Sequence, residues 1–467
     1  MRRLRSIIAL LLALLLCGTA AMAEVPFLRI AQDWTLEDIP LEVMLSADVK
    51  AHMPYDEDRL AMLKAVTDKL SLRLTAGDNA GSVSILAGQS NALTLSYRGE
   101  ETQLSSIPRV TFLSDEGAAE KLLGADTGDI SLYGLRGDAE TLLDDGWVLL
   151  NALGNELEKY ADRRNVKTYI TDMGTARSCT DYTIPKDDAD SLKETLLRLT
   201  PEGWLKEIIT SLNFSGRQNL RMYRTAEEIP LRMEYNGTCG PEGNLRTVKL
   251  VWRMRRDDTA HRDEITLTSP AKSGGNKNTL EFERVIQKNK TGAIELEGSF
   301  TYTVTLDKQT TTRKGEFTLE NAFTDEADVL TGSLKLQQKL PGESSFSGLQ
   351  LEPQLTLSGE PDAPVISGSV LVTGLKGKNV LEQADVHVYL SRCDTPAWQE
   401  SEWVIDLDQL SEEELMQLRQ EAAASIATAV VKPLIILMGA DAEWFFRDMP
   451  PEAVQKIIDA SNAVVLE

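Results

Sequence analysis

Between Gly292 and Leu306 the chain alternates without a slip. Ile294, Leu296, Phe300, Tyr302, Val304 and Leu306 share one parity; Glu295, Glu297, Ser299, Thr301, Thr303 and Thr305 share the other. A period of two sends successive side chains to opposite faces of a sheet. One face therefore needs a core and the other needs water. That asymmetry marks antiparallel pairing, because strands of a parallel sheet are apolar on both faces.

The pattern extends over a region from about Gly216 to Arg392. Val248, Leu250, Trp252 and Met254 share a face, followed by Ile265 with Leu267, and Leu280 with Phe282. After the long strand come Phe317 with Leu319, Leu334 with Leu336, Leu349 with Leu351, and Leu355 with Leu357. Val370 with Val372, then Val386, Val388 and Leu390, complete it. Ser273-Gly274-Gly275-Asn276 and Pro341-Gly342 are turn signals between strands. About nine or ten strands exceed what a flat sheet supports, so the sheet is expected to curl.

A smaller unit precedes it. Leu41, Val43, Leu45 and Ala47 form a strand, and Asp56-Glu57-Asp58 open a helix carrying Leu60, Leu63, Val66 and Leu70. Three short strands follow around Leu72, Ile85 and Leu95. Helices are expected at Ala118–Leu123, Ala139–Asp162, Asp190–Leu199 and Trp204–Leu212, with a return to strand from Val166 to Ile184. Thr200-Pro201 reads as a cap with proline at the first helical position. Thr35–Leu41 and Thr225–Leu231 echo each other, a weak sign of duplication.

The tail is helical. Ser411 to Glu414 fits a capping box, with Leu410 and Leu415 as its hydrophobic staple. The stripe Leu415, Leu418, Ala422, Ile426, Val430 follows, and Pro433 is expected to kink or restart the helix. Pro450-Pro451 opens a last short helix. The apolar run of Ala422–Met438 is too short and too interrupted for a membrane span of ~20 residues. A helix apolar nearly all round suits the hollow of a curled sheet. Burying the six inward side chains of the long strand alone would gain about 10 kcal/mol before entropy.

The fold class expected is therefore α+β: a large curved antiparallel β-meander with helices packed on its concave face, plus a smaller N-terminal helix and antiparallel-sheet unit. The boundaries are a signal at 1–23, an N-terminal unit at 24–185 and a helical connector at 186–213. The meander at 214–395 and C-terminal helices at 396–467 complete the chain.

The signal rests on Arg2, Arg3 and Arg5, the apolar run Ile7–Leu16 and Ala21-Met22-Ala23 before Glu24. Export with cleavage after Ala23 is expected. Lipid anchoring at Cys17 ranks second, because Leu16 is bulky for a lipobox. The formal charge of −23 repels phosphate backbones and excludes a nucleic-acid role. Cys179, Cys239 and Cys393 are too few for a disulfide scaffold and too scattered for a zinc motif. They are expected to be reduced and partly buried, with Cys239–Cys393 the disulfide pair to test.

No catalytic, cofactor-binding or metal-binding set emerges. His52, His261 and His387 lie far apart. There is no Gly-x-Ser-x-Gly elbow, and Gly88-Gln89-Ser90-Asn91 is a turn. No phosphate loop or calcium loop occurs. The acid runs Asp144-Asp145, Asp187-Asp188-Ala189-Asp190 and Glu412-Glu413-Glu414 read as solvated, two of them at helix starts. Trp147, Trp204, Trp252 and Trp444-Phe445-Phe446 read as core, as do Trp398 and Trp403, though these last two flank a polar connector and could lid a groove.

A signal, a helix leading into a many-stranded meander and helices to fill its hollow resemble the half-barrel of LolA/LppX-like lipoprotein carriers. The likeness covers Pro40–Tyr97 and Phe214–Met438 and rests on strand order. The chain also resembles secreted proteins of clostridia-type bacteria. The resemblance implies a hollow that takes lipid or acyl chains; it carries over no binding residue. The expected function is a non-enzymatic exported envelope protein holding an apolar ligand or partner segment, with no transmembrane span in the mature chain. The alternative is an envelope scaffold or interaction protein whose hollow is filled by its own helices; a hydrolase or metal-dependent enzyme ranks third.

Overall fold

In a computed structural model the described residues are 41–53, 57–77, 80–115, 117–123, 157–170, 173–199, 204–211, 213–240, 245–256, 260–270, 277–290, 292–323, 327–360, 363–393, 398 and 400–438. The expected signal with Cys17, the segment 24–40 with the first half of the echo, and residues 139–156 of the long helix lie outside them. So do the Thr200-Pro201 joint, the Ser273–Asn276 turn, Trp147, Trp444-Phe445-Phe446 and the Pro450-Pro451 helix. Antiparallel β-structure dominates, and the chain divides into two compact units.

The first unit comprises 1–29, 138–352 and 374–379. To name elements in chain order, the second unit contributes β1 (Leu41–His52), α1 (Glu57–Thr67), β2 (Leu70–Gly77), β3 (Ala80–Ala87), β4 (Ser90–Arg98), β5 (Glu101–Leu104), β6 (Val110–Leu113) and α2 (Ala118–Leu123). The first unit then holds β7 (Ala161–Ile170), β8 (Gly174–Ile184), α3 (Lys186–Leu199), α4 (Trp204–Ser211), β9 (Asn213–Phe214), β10 (Gln218–Arg224) and β11 (Pro230–Gly240). Next come β12 (Arg246–Arg256), β13 (Ala260–Pro270), β14 (Lys277–Lys288), β15 (Ile294–Leu306), β16 (Gln309–Phe323) and β17 (Asp328–Lys339). Strands β18 (Ser347–Glu360) and β19 (Ala363–Lys376) contribute residues to both units. The second unit ends with β20 (Asn379–Arg392), β21 (Trp403–Asp406) and α5 (Glu412–Met438).

In the first unit β7 pairs with β8, β8 with β10, and β10 through β17 pair in sequence order, all antiparallel. One face carries Leu250, Trp252, Met254, Ile265, Phe282, Ile286, Leu296 and Phe317, several of them buried. The other carries the Glu, Thr, Ser, Lys and Arg parity. The alternation of the long strand therefore holds. Its apolar side is closed at Ile294 and Leu296 and only half-buried from Phe300 to Val304.

Three glycines interrupt the apolar face of β15, β16 and β17: Gly298, Gly315 and Gly332. Each lies opposite a large side chain, namely Phe317, Phe300 and Leu319. A Cβ at any of the three would collide with that partner. The missing side chains let rings lie flat on the backbone, the arrangement that permits strong coiling of a sheet.

The second unit is a sheet in which β20, β1, β2, β3, β4, β5 and β6 are neighbours, closed on one side by the parallel pair β6–β21. Its core gathers Leu93, Leu104, Phe112, Ala118, Leu122, Leu407 and Ala422. The α5 stripe Leu415, Leu418, Ile426 and Val430 packs against them. The box forms as expected: the Ser411 N–H donates to Glu414 Oε2 at 2.9 Å and the Glu414 N–H to Ser411 Oγ at 3.4 Å.

Several expectations are corrected. The described contacts of α5 include α1, α2, β3 and β4, and its expected stripe is the face that packs there. An apolar stripe reports that a helix needs cover, not which sheet supplies it. The helix also continues through Pro433 without restarting. Ala161 and Asp162 belong to β7, not to the helix before it, and β8 pairs with β10. Leu349 with Leu351 and Leu355 with Leu357 lie on one strand, β18, which runs through Pro353 because an extended backbone accommodates the proline φ. Strand β20 does not simply end the large meander; it pairs with β1 along its length.

Candidate functional site

The register of the first unit aligns one residue from each of ten strands on the polar face. The row runs Arg164, Cys179, Tyr223, Arg232, Arg253, Glu264, Glu283, Ser299, Glu316, Lys335, each directly opposite the next. Directly opposed side chains in antiparallel strands lie close enough to interact. At the basic end the Arg232 guanidinium sits 5.9 Å from the Tyr223 ring centre. In the middle Glu264 and Glu283 oppose each other, a repulsive pairing. Arg253 and Arg262, each 2.9 Å from a Glu264 oxygen, relieve it. Glu283 accepts instead from the Ser299 hydroxyl at 3.1 Å.

Beyond Glu264 the row opens into a hollow of about 610 Å³. Glu283, Glu297 and Glu316 supply carboxylates, Lys335 an ammonium, and Ser299, Thr318, Ser333 and Gln350 hydroxyls and an amide. The Gln350 amide donates to Ser333 Oγ at 3.4 Å. The arrangement offers acceptors and donors at strand spacing across five neighbouring strands. Among the described residues no cluster of His, Cys, Asp or Glu could hold a metal ion.

Behind the hollow, on the apolar face, lies a buried charge cluster. Arg284 Nε and Nη2 donate to Asp263 Oδ2 at 3.0 and 2.5 Å. Asp263 Oδ1 accepts from Trp252 Nε1 at 2.9 Å and from Arg256 Nη2 at 2.5 Å. Burial pushes the Asp263 carboxyl up, but the charges of Arg284 and Arg256 with their hydrogen bonds overcome it and hold the group below its usual value. The signal was present in the sequence. Arg284 falls on the parity of Leu280, Phe282 and Ile286, and Asp263 on that of Ile265 and Leu267.

The residues weighed from sequence are not brought together. His261 lies on β13 in the first unit; His52 and His387 lie on β1 and β20 in the second. His52 Nδ1 is 3.4 Å from a Glu382 oxygen. His387 is exposed and lines a separate hollow of about 340 Å³ with Ser46, Asp68, Lys69 and Tyr389. Asp187 and Asp188 sit in the first turn of α3, and Glu412–Glu414 in the first turn of α5, where the helix dipole favours them. Asp144-Asp145 lies outside the described residues. Cys179 is fully buried, and Cys239 and Cys393 are half-buried. Trp252 is half-buried on β12, with its indole N–H on Asp263. Trp398 is half-buried with the Arg98 guanidinium 4.6 Å from its ring centre. Trp403 is not core: it is exposed on β21.

No family model matches the chain, and no curated protein matches it. Among solved structures it has a likeness to OmpT (in-vitro folded, trimer form), an outer membrane protein of Vibrio cholerae. That likeness covers 76% of this chain and 98% of that chain at 6% identity, with a TM-score of 0.23. At that score it carries no argument about fold or function. No helix among the described residues is long and apolar enough to cross a membrane.

Proposed function

We propose that this chain is a non-enzymatic exported envelope protein that binds a polar partner segment in the hollow on the charged face of its large sheet. The observation that supports the reading is the lining itself. Glu283, Glu297 and Glu316 line about 610 Å³ of open space with Lys335, Arg262 and Arg284, and hydroxyls lie between them. An acyl chain laid there would strip water from carboxylates and give nothing back, a cost of several kcal/mol per charge. A hydrogen-bonding, partly cationic ligand replaces that water. The apolar ligand expected from the resemblance is thus the poorer occupant of this hollow. Export rests on the N-terminal signal.

The test is native mass spectrometry of protein purified from its host, beside the variant Glu316→Lys/Lys335→Glu. A polar adduct on the wild type, lost from the variant, is the expected result. Uptake of a fluorescent fatty acid in place of any polar adduct would overturn the reading in favour of an acyl-chain carrier. A second reading, an envelope interaction protein, is favoured by the exposed strand β21.

A further inference from the structure

Strand β21 lies at a corner built entirely within the second unit. It pairs with β6 in parallel, Trp403 opposite Val110 through Asp406 opposite Leu113, and no other described strand flanks it. The N–H groups of Trp403 and Leu407 donate to Arg109 O and Leu113 O. In an extended strand successive peptide groups alternate in direction. The groups of Val404 therefore turn away from β6, towards the open edge.

The side chains at that edge are the wrong kind for water. Trp403 is 61% exposed and Val404, its neighbour on the opposite face, 62%. Ile405 and Leu407 on the same segment are packed into the α5 core, so β21 is anchored from behind. Further anchors are Asp408, which accepts from Ser114 Oγ at 3.0 Å, the Asp115 N–H at 2.8 Å and Lys121 Nζ. An exposed apolar edge strand invites pairing unless charge or proline blunts it. Neither Trp403 nor Val404 supplies that protection.

The charge around the edge selects what can pair. Asp115, Glu400, Glu412 and Glu413, each within a few residues of β6 or β21 along the chain, are exposed. Among the described cations of the corner, Arg109 pairs with Glu402 at 2.8 Å, Lys121 pairs with Asp408, and Arg419 donates to the Lys121 carbonyl at 2.7 Å. A second copy would bring the same acids against these, on a chain already at −23. We propose that β21 is a docking edge for an extended segment of another protein, apolar at alternate positions and carrying lysine or arginine at its ends. The segment adds as a strand, its peptide groups meeting those of Val404, one apolar side chain covering Trp403 and its basic ends meeting Glu400 and Glu412.

The full chain is titrated calorimetrically with a short synthetic peptide of alternating valine and threonine flanked by lysines. Binding is expected, weakened roughly tenfold or more by Trp403→Ser and by Glu400→Lys/Glu412→Lys, and weakened by added salt. The charge-reversal variant changes only exposed side chains, and circular dichroism checks that both variants fold. Equal binding of a glutamate-flanked peptide, unchanged binding in both variants, or no heat at all would overturn the proposal. Concentration-dependent self-association lost in Trp403→Ser would overturn it in favour of a second copy. The Glu316→Lys/Lys335→Glu variant leaves this binding intact, so failure at the hollow and failure at the edge are read separately.

Discussion

Asp263 and Arg284 face each other directly across β13 and β14, both almost wholly buried, with two guanidinium nitrogens on one carboxylate oxygen. The pair occupies positions that its strands otherwise give to Ile265, Phe282 and Ile286. Removing one partner strands the other charge in the core. Asp263→Ala is expected to cost about 3–5 kcal/mol, read as a fall in the urea midpoint.

The same carboxyl sets an acid limit. Its folded value lies below the ordinary one, so its contribution is complete above about pH 4 and is lost as pH falls through the depressed folded value. Urea titrations repeated at descending pH should show stability dropping over that window in the wild type. The drop should be smaller in Asp263→Asn.

The glycine positions give a graded series. A Cβ on Gly298 would meet the Glu283 carbonyl oxygen as well as the Phe317 ring, whereas the three atoms nearest one on Gly315 all belong to the Phe300 ring. Backbone cannot swing aside as a ring can. Gly298→Ala should cost about 1–3 kcal/mol and Gly315→Ala less. Phe300→Leu should recover stability in the Gly315→Ala background, and Phe317→Leu should not do so fully for Gly298→Ala.

The start of α5 offers a milder test. Ser411→Ala removes the cap and should cost about 1 kcal/mol in the second unit. The Ser411 hydroxyl, then its N–H, hold the Glu414 carboxyl below its usual value. The cap is therefore complete above the ordinary glutamate range and weakens as pH falls through the lowered value. Ser411→Ala should remove that part of the acid dependence, measured by thermal melts across pH.

Cys179 should be silent to alkylation in the native protein. It is fully buried, and burial pushes its thiol up despite the nearby Arg164 guanidinium at 3.9 Å. Thiolate is the reactive form. Iodoacetamide followed by peptide mass spectrometry should mark Cys179 only after denaturation; rapid native labelling would contradict the burial.

Much of the first unit was legible because parity is a local property. The faces of β12 to β17 follow from which positions carry Leu, Phe and Ile, and the Ser411–Glu414 box needs only its own few residues. Partner choice is not local. Nothing in the α5 stripe says that Leu93, Leu104 and Phe112 receive it. In β10 and β11 the faces are harder to assign, because Arg221, Arg224 and Arg232 break their apolar rhythm. The hollow was invisible for the same reason: Glu283, Ser299, Glu316 and Lys335 read as an ordinary wet face until the register places them side by side. The Asp263–Arg284 pair could have been found, since each charge sits on an apolar parity.

The pairing of β1 with β20 sets an order of events for the newborn chain. Strand β1 finds β2 at once, yet its other edge must wait until β20 has been made. Through that interval the row from Leu41 to His52 is an unsealed seam, open to neighbouring chains. A holdase, or slow completion of this last zip, is what such a topology calls for, and chains cut short before Asn379 should aggregate through that seam.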